Sequence, residues 1–173
     1  FTDADLSGAN LRGSGVQSSI FVRAKLNSAI LDQTAAQYAN FNGADLTAAN
    51  INHFYAQYAS FVGATIVSIS SPDDGPVWSH ANLSGANLQN AVLAGTNTGA
   101  DLVYADLTGT DLSGAVLTGG DLRHAVLVNT NLNDTNLATA SFSSPTNSSG
   151  LISNVGTALP GGWLISGGVL MFV

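Results

Sequence analysis

An apolar residue returns at every fifth position through the first block of the chain: Phe1, Leu6, Leu11, Val16, Phe21, Leu26, Leu31, Ala36, Phe41, Leu46, Ile51, Ala56, Phe61 and Ile66. Two residues before nearly every one stands a small residue, mostly Ala, with Phe54 as the exception. The other positions are mostly Asp, Asn, Ser, Thr, Gly or Gln. A period of five fits neither the 3.6 of an α-helix nor the 2.0 of a strand. It marks a structural repeat, and repeats set the architecture. Two inward and three outward positions per unit suit a short straight side followed by a turn. A longer period sits on top of this one. Phe1, Phe21, Phe41 and Phe61 stand twenty residues apart, as do Gln17, Gln37 and Gln57, and Tyr38 and Tyr58. Four five-residue sides per coil reproduce these coincidences, so the pattern predicts an all-β, four-sided solenoid. Stacked coils would lie about 4.7–4.9 Å apart. Equivalent side chains would then form ladders, as in other β-arrays.

The pattern breaks twice. Between Ile66 and Leu83 lie Pro72, Asp73, Asp74, Gly75 and Pro76, which is turn chemistry, and Leu83 is out of phase by two residues. This predicts a loop insertion over about 68–80, with Trp78 plugging the interior or closing the base of the loop. Leu93 to Leu102 spans nine residues in place of ten. We read this as one shortened unit near 96–99, tightened at Gly99. Regularity resumes through Phe142. The organisation expected is a repeat domain over 1–142, a polar linker over 143–150 and an apolar C-terminal segment over 151–173. In that segment two short apolar runs flank Ser166-Gly167-Gly168, a hairpin signal. Because an open solenoid end exposes core and unpaired backbone, the hairpin is the expected cap. Gly, Pro and Ser interrupt it too often for a membrane span of about 20 apolar residues. Phe1 is already in phase, so the coil is expected to begin at or before it, with no leader visible.

The units Ala4-Asp5-Leu6-Ser7-Gly8, Ala81-Asn82-Leu83-Ser84-Gly85, Ala100-Asp101-Leu102 and Ala105-Asp106-Leu107 carry a further signal. Each reads as a small residue, Asp or Asn, Leu, and then polar residues. In this the chain resembles the pentapeptide-repeat proteins, over nearly all of 1–142. The resemblance implies a right-handed quadrilateral β-helix with four pentapeptides per coil. It implies little about activity, because one fold hosts many functions.

Composition narrows the function classes. Net charge is −7, yet only 9% of the 173 residues are charged, and every acid is Asp. Four fixed cations, Arg12, Arg23, Lys25 and Arg123, argue against direct nucleic-acid binding. Cysteine is absent, so disulfide and thiolate chemistry are excluded. Sparse Lys and abundant Ser, Thr, Asn and Gly resemble exported bacterial proteins. Asp101 and Asp121 share a ladder position and are the arrangement nearest to a cation site. They read better as solvated carboxylates beside Arg123. His53, His80 and His124 share no position in the twenty-residue register and read as separate surface residues. Neither a phosphate loop nor a cluster of titrating groups in a pocket is visible. We therefore expect no catalytic residue, no metal and no cofactor.

What remains is surface. Tyr38 and Tyr58, with Gln37 and Gln57 beside them, form an outward polar–aromatic stripe suited to contact. Asp73, Asp74 and Trp78 mark the inserted loop as a second candidate, since loops on rigid scaffolds often carry function. The expected role is a non-catalytic structural or protein-interaction scaffold, as a monomer or an end-to-end homodimer, and the sequence names no partner. The alternative follows from the resemblance: some family members mimic a DNA duplex in size and charge and bind DNA gyrase.

Overall fold

The computed structural model describes residues 1–69, 74–93, 99–143, 148–153 and 156–173. Parallel single-residue bridges run up the molecule in four columns. One joins Asp5, Lys25, Asp45, Thr65, Asn87, Asp111, Asn131 and Ile152; another joins Gly15, Ala35, Tyr55, Val77, Asp101, Asp121 and Ser141. Neighbouring bridges within a coil are five residues apart, so the coil is four-sided. Each side is too short for a regular strand and contributes one bridging residue. Its backbone is nevertheless paired on both rims: Lys25 N–H donates to Ala4 C=O of the coil before at 2.9 Å, and Leu26 N–H donates to Asp45 C=O of the coil after at 2.7 Å.

Most of the described corners share one construction. The N–H three residues after an inward apolar residue donates back to its carbonyl, as Ala9 does to Leu6 at 3.0 Å. The residue just before that donor takes a positive φ, the pattern of a type II turn. Glycine fills many of these positions, and Asp, Ser, Arg, Gln, Tyr, Ala, His or Asn fills the others at φ 49–62°. None of them is β-branched, for which this conformation is a true outlier. The bridging Asp or Asn accepts a hydrogen bond from the backbone N–H two residues on, as Asp5 does from Ser7 and Asn82 from Ser84. The same contact recurs at Asn40, Asp45, Asn50, Asp106, Asp111 and Asn131. Such short side chains reach their own backbone, and this accounts for aspartate rather than glutamate at the bridging positions.

The interior is mostly apolar and layered. Phe1, Phe21, Phe41 and Phe61 stack with ring centroids 4.8–5.0 Å apart and planes within 9°. Phe54, at a position otherwise held by a small residue, is fully buried and meets Phe41 and Phe61 edge-on. It lies two residues before Ala56, whose short side chain leaves room. Threonines standing in for Ala are buried with their hydroxyls bonded to a carbonyl of the preceding coil, as Thr110 to Leu83 and Thr135 to Leu112.

The ladders locate both breaks. Tyr55 pairs with Val77, Ser60 with Asn82 and Thr65 with Asn87, so the first break adds two residues to a coil. Val77 re-enters the ladder and Trp78 follows as an inward residue, wholly buried and 5.5 Å from Phe61. Residues 70–73 of the expected loop lie outside the described residues. The second break differs from our reading of a shortened unit. Val77 pairs with Asp101 and Val92 with Val116, so that coil has gained four residues. Val92 and Asp101 stand in neighbouring bridge columns nine positions apart, where five is the rule. The count alone suits either interpretation, and only the pairing separates them. Thr96, Asn97 and Thr98 lie outside the described residues.

Bridges continue past 142, joining Asn131 to Ile152 and Asn136 to Ala158. Strands β1 (Trp163–Ser166) and β2 (Val169–Phe172) then form an antiparallel hairpin. It is tied back through Leu151 N–H to Gly168 C=O and Leu170 N–H to Ser148 Oγ. Trp163 packs 5.2 Å from Phe142, and Leu170 is buried. Among the described residues no helix is long and apolar enough to cross a membrane.

Candidate functional site

Five residues occupy the positive-φ position of one corner in successive coils: Tyr38, Tyr58, His80, Tyr104 and His124. Their rings form one continuous column on the outside of the molecule. Successive centroids are 5.0, 4.6, 4.9 and 4.7 Å apart, with planes within 11°. The backbone fixes this spacing. Tyr38 N–H donates to Gln57 C=O, Tyr58 to Ser79, His80 to Val103 and Tyr104 to Arg123, at 2.9–3.1 Å. His124 N–H donates to Ser143 Oγ. Ring faces cover one another while their edges, with the phenol and imidazole groups, meet solvent. Tyr38 is 63% exposed, Tyr58 50% and Tyr104 52%.

The stripe expected from Tyr38 and Tyr58 is thus the first part of a longer column. His80 and His124, which the twenty-residue register separates, share it. The coils of 22 and 24 residues moved them and Tyr104 off the twenty-residue register. Gln37 and Gln57 flank the column and are half-buried. Trp78 is corrected: it belongs to the core, where it fills the side that Ala36 and Ala56 keep narrow, and it offers no surface. Asp73 lies outside the described residues.

Asp74 joins a chain of polar side chains. Its carboxylate is 2.6 Å from His53 Nε2, while His53 Nδ1 is 3.9 Å from buried Asp32. Asp32 in turn meets Arg12 at 2.5 Å. These contacts tie the end of the first insertion to the coils below it. The remaining cations are also matched: Arg23 with Asp3, Lys25 with Asp5 and Arg123 with Asp121. Among the described residues no group of three or more potential ligands could hold a metal ion. The Asp101–Asp121 bridge is moderated by Arg123, whose guanidinium contacts both Asp121 oxygens.

Several of these carboxyls are held below the usual aspartate range. For Asp121 the principal cause is the Arg123 hydrogen bond. For Asp106 and Asp111 desolvation pushes upward, and hydrogen bonds from Thr108 and Ser84, or from Ser113, Gln89 and Asn131, outweigh it. A carboxyl lowered on folding stabilises the ionised fold. That contribution is complete above its unfolded value of about 3.9 and disappears as pH falls through the folded value. We expect the unfolding midpoint to hold steady from pH 7 to about 5 and to drop below about 4. Urea titrations across that range check the sign, and a midpoint that rises on acidification contradicts it.

The pentapeptide-repeat family model matches residues 19–53 and 79–119, in eight copies. No curated protein matches the sequence. Solved structures similar to the chain include HetL, a pentapeptide repeat protein involved in heterocyst differentiation regulation from the cyanobacterium Nostoc sp. strain PCC 7120. That likeness has 22% identity, covers 94% of this chain and 87% of that one, and has a TM-score of 0.46. Another is QnrB1, a plasmid-mediated fluoroquinolone resistance protein, at 23% identity over 90% and 81% with a TM-score of 0.44. A third is a pentapeptide repeat protein of the Arabidopsis thaliana thylakoid lumen, at 25% identity over 66% of each chain with a TM-score of 0.29. At these scores no role passes from them to this chain.

Proposed function

For a chain whose repeats belong to the pentapeptide-repeat family, we propose a non-catalytic protein-interaction scaffold, wound as the right-handed quadrilateral coil that the resemblance implies. Its contact face is the Tyr38–Tyr58–His80–Tyr104–His124 column with Gln37 and Gln57 beside it. The hairpin of β1 and β2 serves as the cap. The observation that carries this reading is the column itself. Five exposed rings are held at fixed spacing by main-chain hydrogen bonds, so little conformational entropy remains to be lost on contact. Exposed aromatic rings, with an Arg beside the last of them and no Glu in the chain, match the composition of protein contact surfaces.

The charge distribution weighs against a DNA-like rod. Of the bridge columns, one carries Asp5, Asp45 and Asp111 but is interrupted by Lys25, Thr65 and Asn87. Asp101 and Asp121 share a second, and Asp106 stands between Asn82 and Val126 in a third. Among the described residues no face offers the regular row of negative charge that a duplex presents.

Two experiments test the reading. Affinity capture from the organism's own extract should recover proteins with the wild-type chain that a Tyr58→Ser/Tyr104→Ser double variant of unchanged circular dichroism fails to retain. If the same proteins remain bound, the column is not the contact face. A gyrase supercoiling assay, with and without a quinolone, should be unaffected at micromolar protein. Inhibition or protection there would return the DNA-mimic reading to first place.

A further inference from the structure

We propose that Tyr38 and Tyr58 form an oxidative coupling site, at which a one-electron oxidant joins two neighbouring coils through a dityrosine bond. Their rings lie 5.0 Å apart with planes 7° from parallel, and both phenol edges face solvent. The main chain enforces this proximity, because Tyr38 N–H is bonded to Gln57 C=O at 3.0 Å and the two segments run in register. Proximity imposed in advance raises the effective concentration of one ring for the other far above that of free tyrosines.

The rest of the molecule makes the pair selective. The chain has four tyrosines. Tyr104 is stacked between His80 and His124, so its nearest ring neighbours are imidazoles. Tyr55 stands in a ladder between Ala35 and Val77. Among the described stacked ring pairs, only Tyr38 and Tyr58 bring two phenols together.

The chemistry balances with hydrogen peroxide and a haem peroxidase as the oxidant. Each phenol gives up one electron and its hydroxyl proton, and the peroxide takes both pairs and leaves as two waters. The two phenoxyl radicals then form one carbon–carbon bond between ring positions ortho to oxygen. The hydrogens displaced there return to the oxygens, restoring both phenols. The product closes a covalent ring between coils and adds a constraint to the unfolded chain.

The full-length protein, treated dilute with peroxidase and hydrogen peroxide, should develop dityrosine fluorescence while running as a monomer, with a mass lower by two hydrogens. Peptide mapping should place the link between Tyr38 and Tyr58, and the thermal midpoint should rise. Tyr38→Phe and Tyr58→Phe keep a stacking ring yet should each lose the fluorescence, whereas Tyr104→Phe should retain it. Fluorescence that survives in either of the first two variants overturns the proposal. So does coupling found only between chains, a Tyr58–His80 adduct in its place, or no dityrosine at all.

Discussion

Phe41→Ala should destabilise the protein by about 3–5 kcal/mol, the usual range for emptying a large aromatic site in a core. Phe41 has no exposed surface. It is stacked between Phe21 at 4.8 Å and Phe61 at 5.0 Å and meets the edge of Phe54 at 5.8 Å. Removing the ring strips all three contacts together. The walls cannot collapse into the gap, because the surrounding backbone is held by bonds such as Phe41 N–H to Ser60 C=O at 2.7 Å. Phe41→Leu should cost much less, since Leu occupies the equivalent inward position at Leu26 and Leu46. Chemical denaturation of both variants measures the difference. A loss under about 1 kcal/mol for the alanine variant would contradict a stabilising role for the buried ring.

Gly99→Ala is the second large effect, at about 3 kcal/mol, the upper end of what overpacking ordinarily costs. A methyl group there would press on the Gly119 carbonyl and lie 2.5 Å from the Gly120 amide nitrogen. Both are backbone atoms, so no rotamer change relieves the clash. Gly75 faces the next coil in the same way, with Gly99 itself as its neighbour. Gly63 supplies the contrast. It has nothing within 4 Å of an added methyl and a φ of 63°, so Gly63→Ala should cost only the left-handed penalty of about 1–2 kcal/mol. Equal losses at Gly63 and Gly99 would show that backbone conformation, and not close approach between coils, governs both.

The fold was legible because its signal is redundant. Every unit repeats the same inward pair, and rows such as Phe1, Phe21, Phe41 and Phe61 report the coil length directly. The insertions were harder to read, since register is a property of pairing. Nothing in the residues from Leu93 to Leu102 says how many sides they serve. That ambiguity then concealed most of the ring column. His80 and His124 belong to the Tyr38 column only once coils of 22 and 24 residues are allowed for. Trp78 misled for a related reason: beside a turn-rich insertion it suits a loop base as well as an interior. The narrow side left by Ala36 and Ala56 was the available clue. The Asp slot, by contrast, was visible as a pattern, and the N–H contact two residues on supplies its cause.

Both departures from the twenty-residue circuit fall in the same stretch of the circuit, between Ile66 and Trp78 and between Leu93 and Leu102. Extra length has therefore been admitted through one flank in two consecutive turns, while the corner bearing the rings stays in step from Tyr38 to His124. That flank is a natural port for grafted peptides or for relocated chain ends. A foreign segment spliced there would leave the links from Val77 to His80 and from Asp101 to Tyr104 unbroken, and the same segment placed next to Gln57 would cut the row in two.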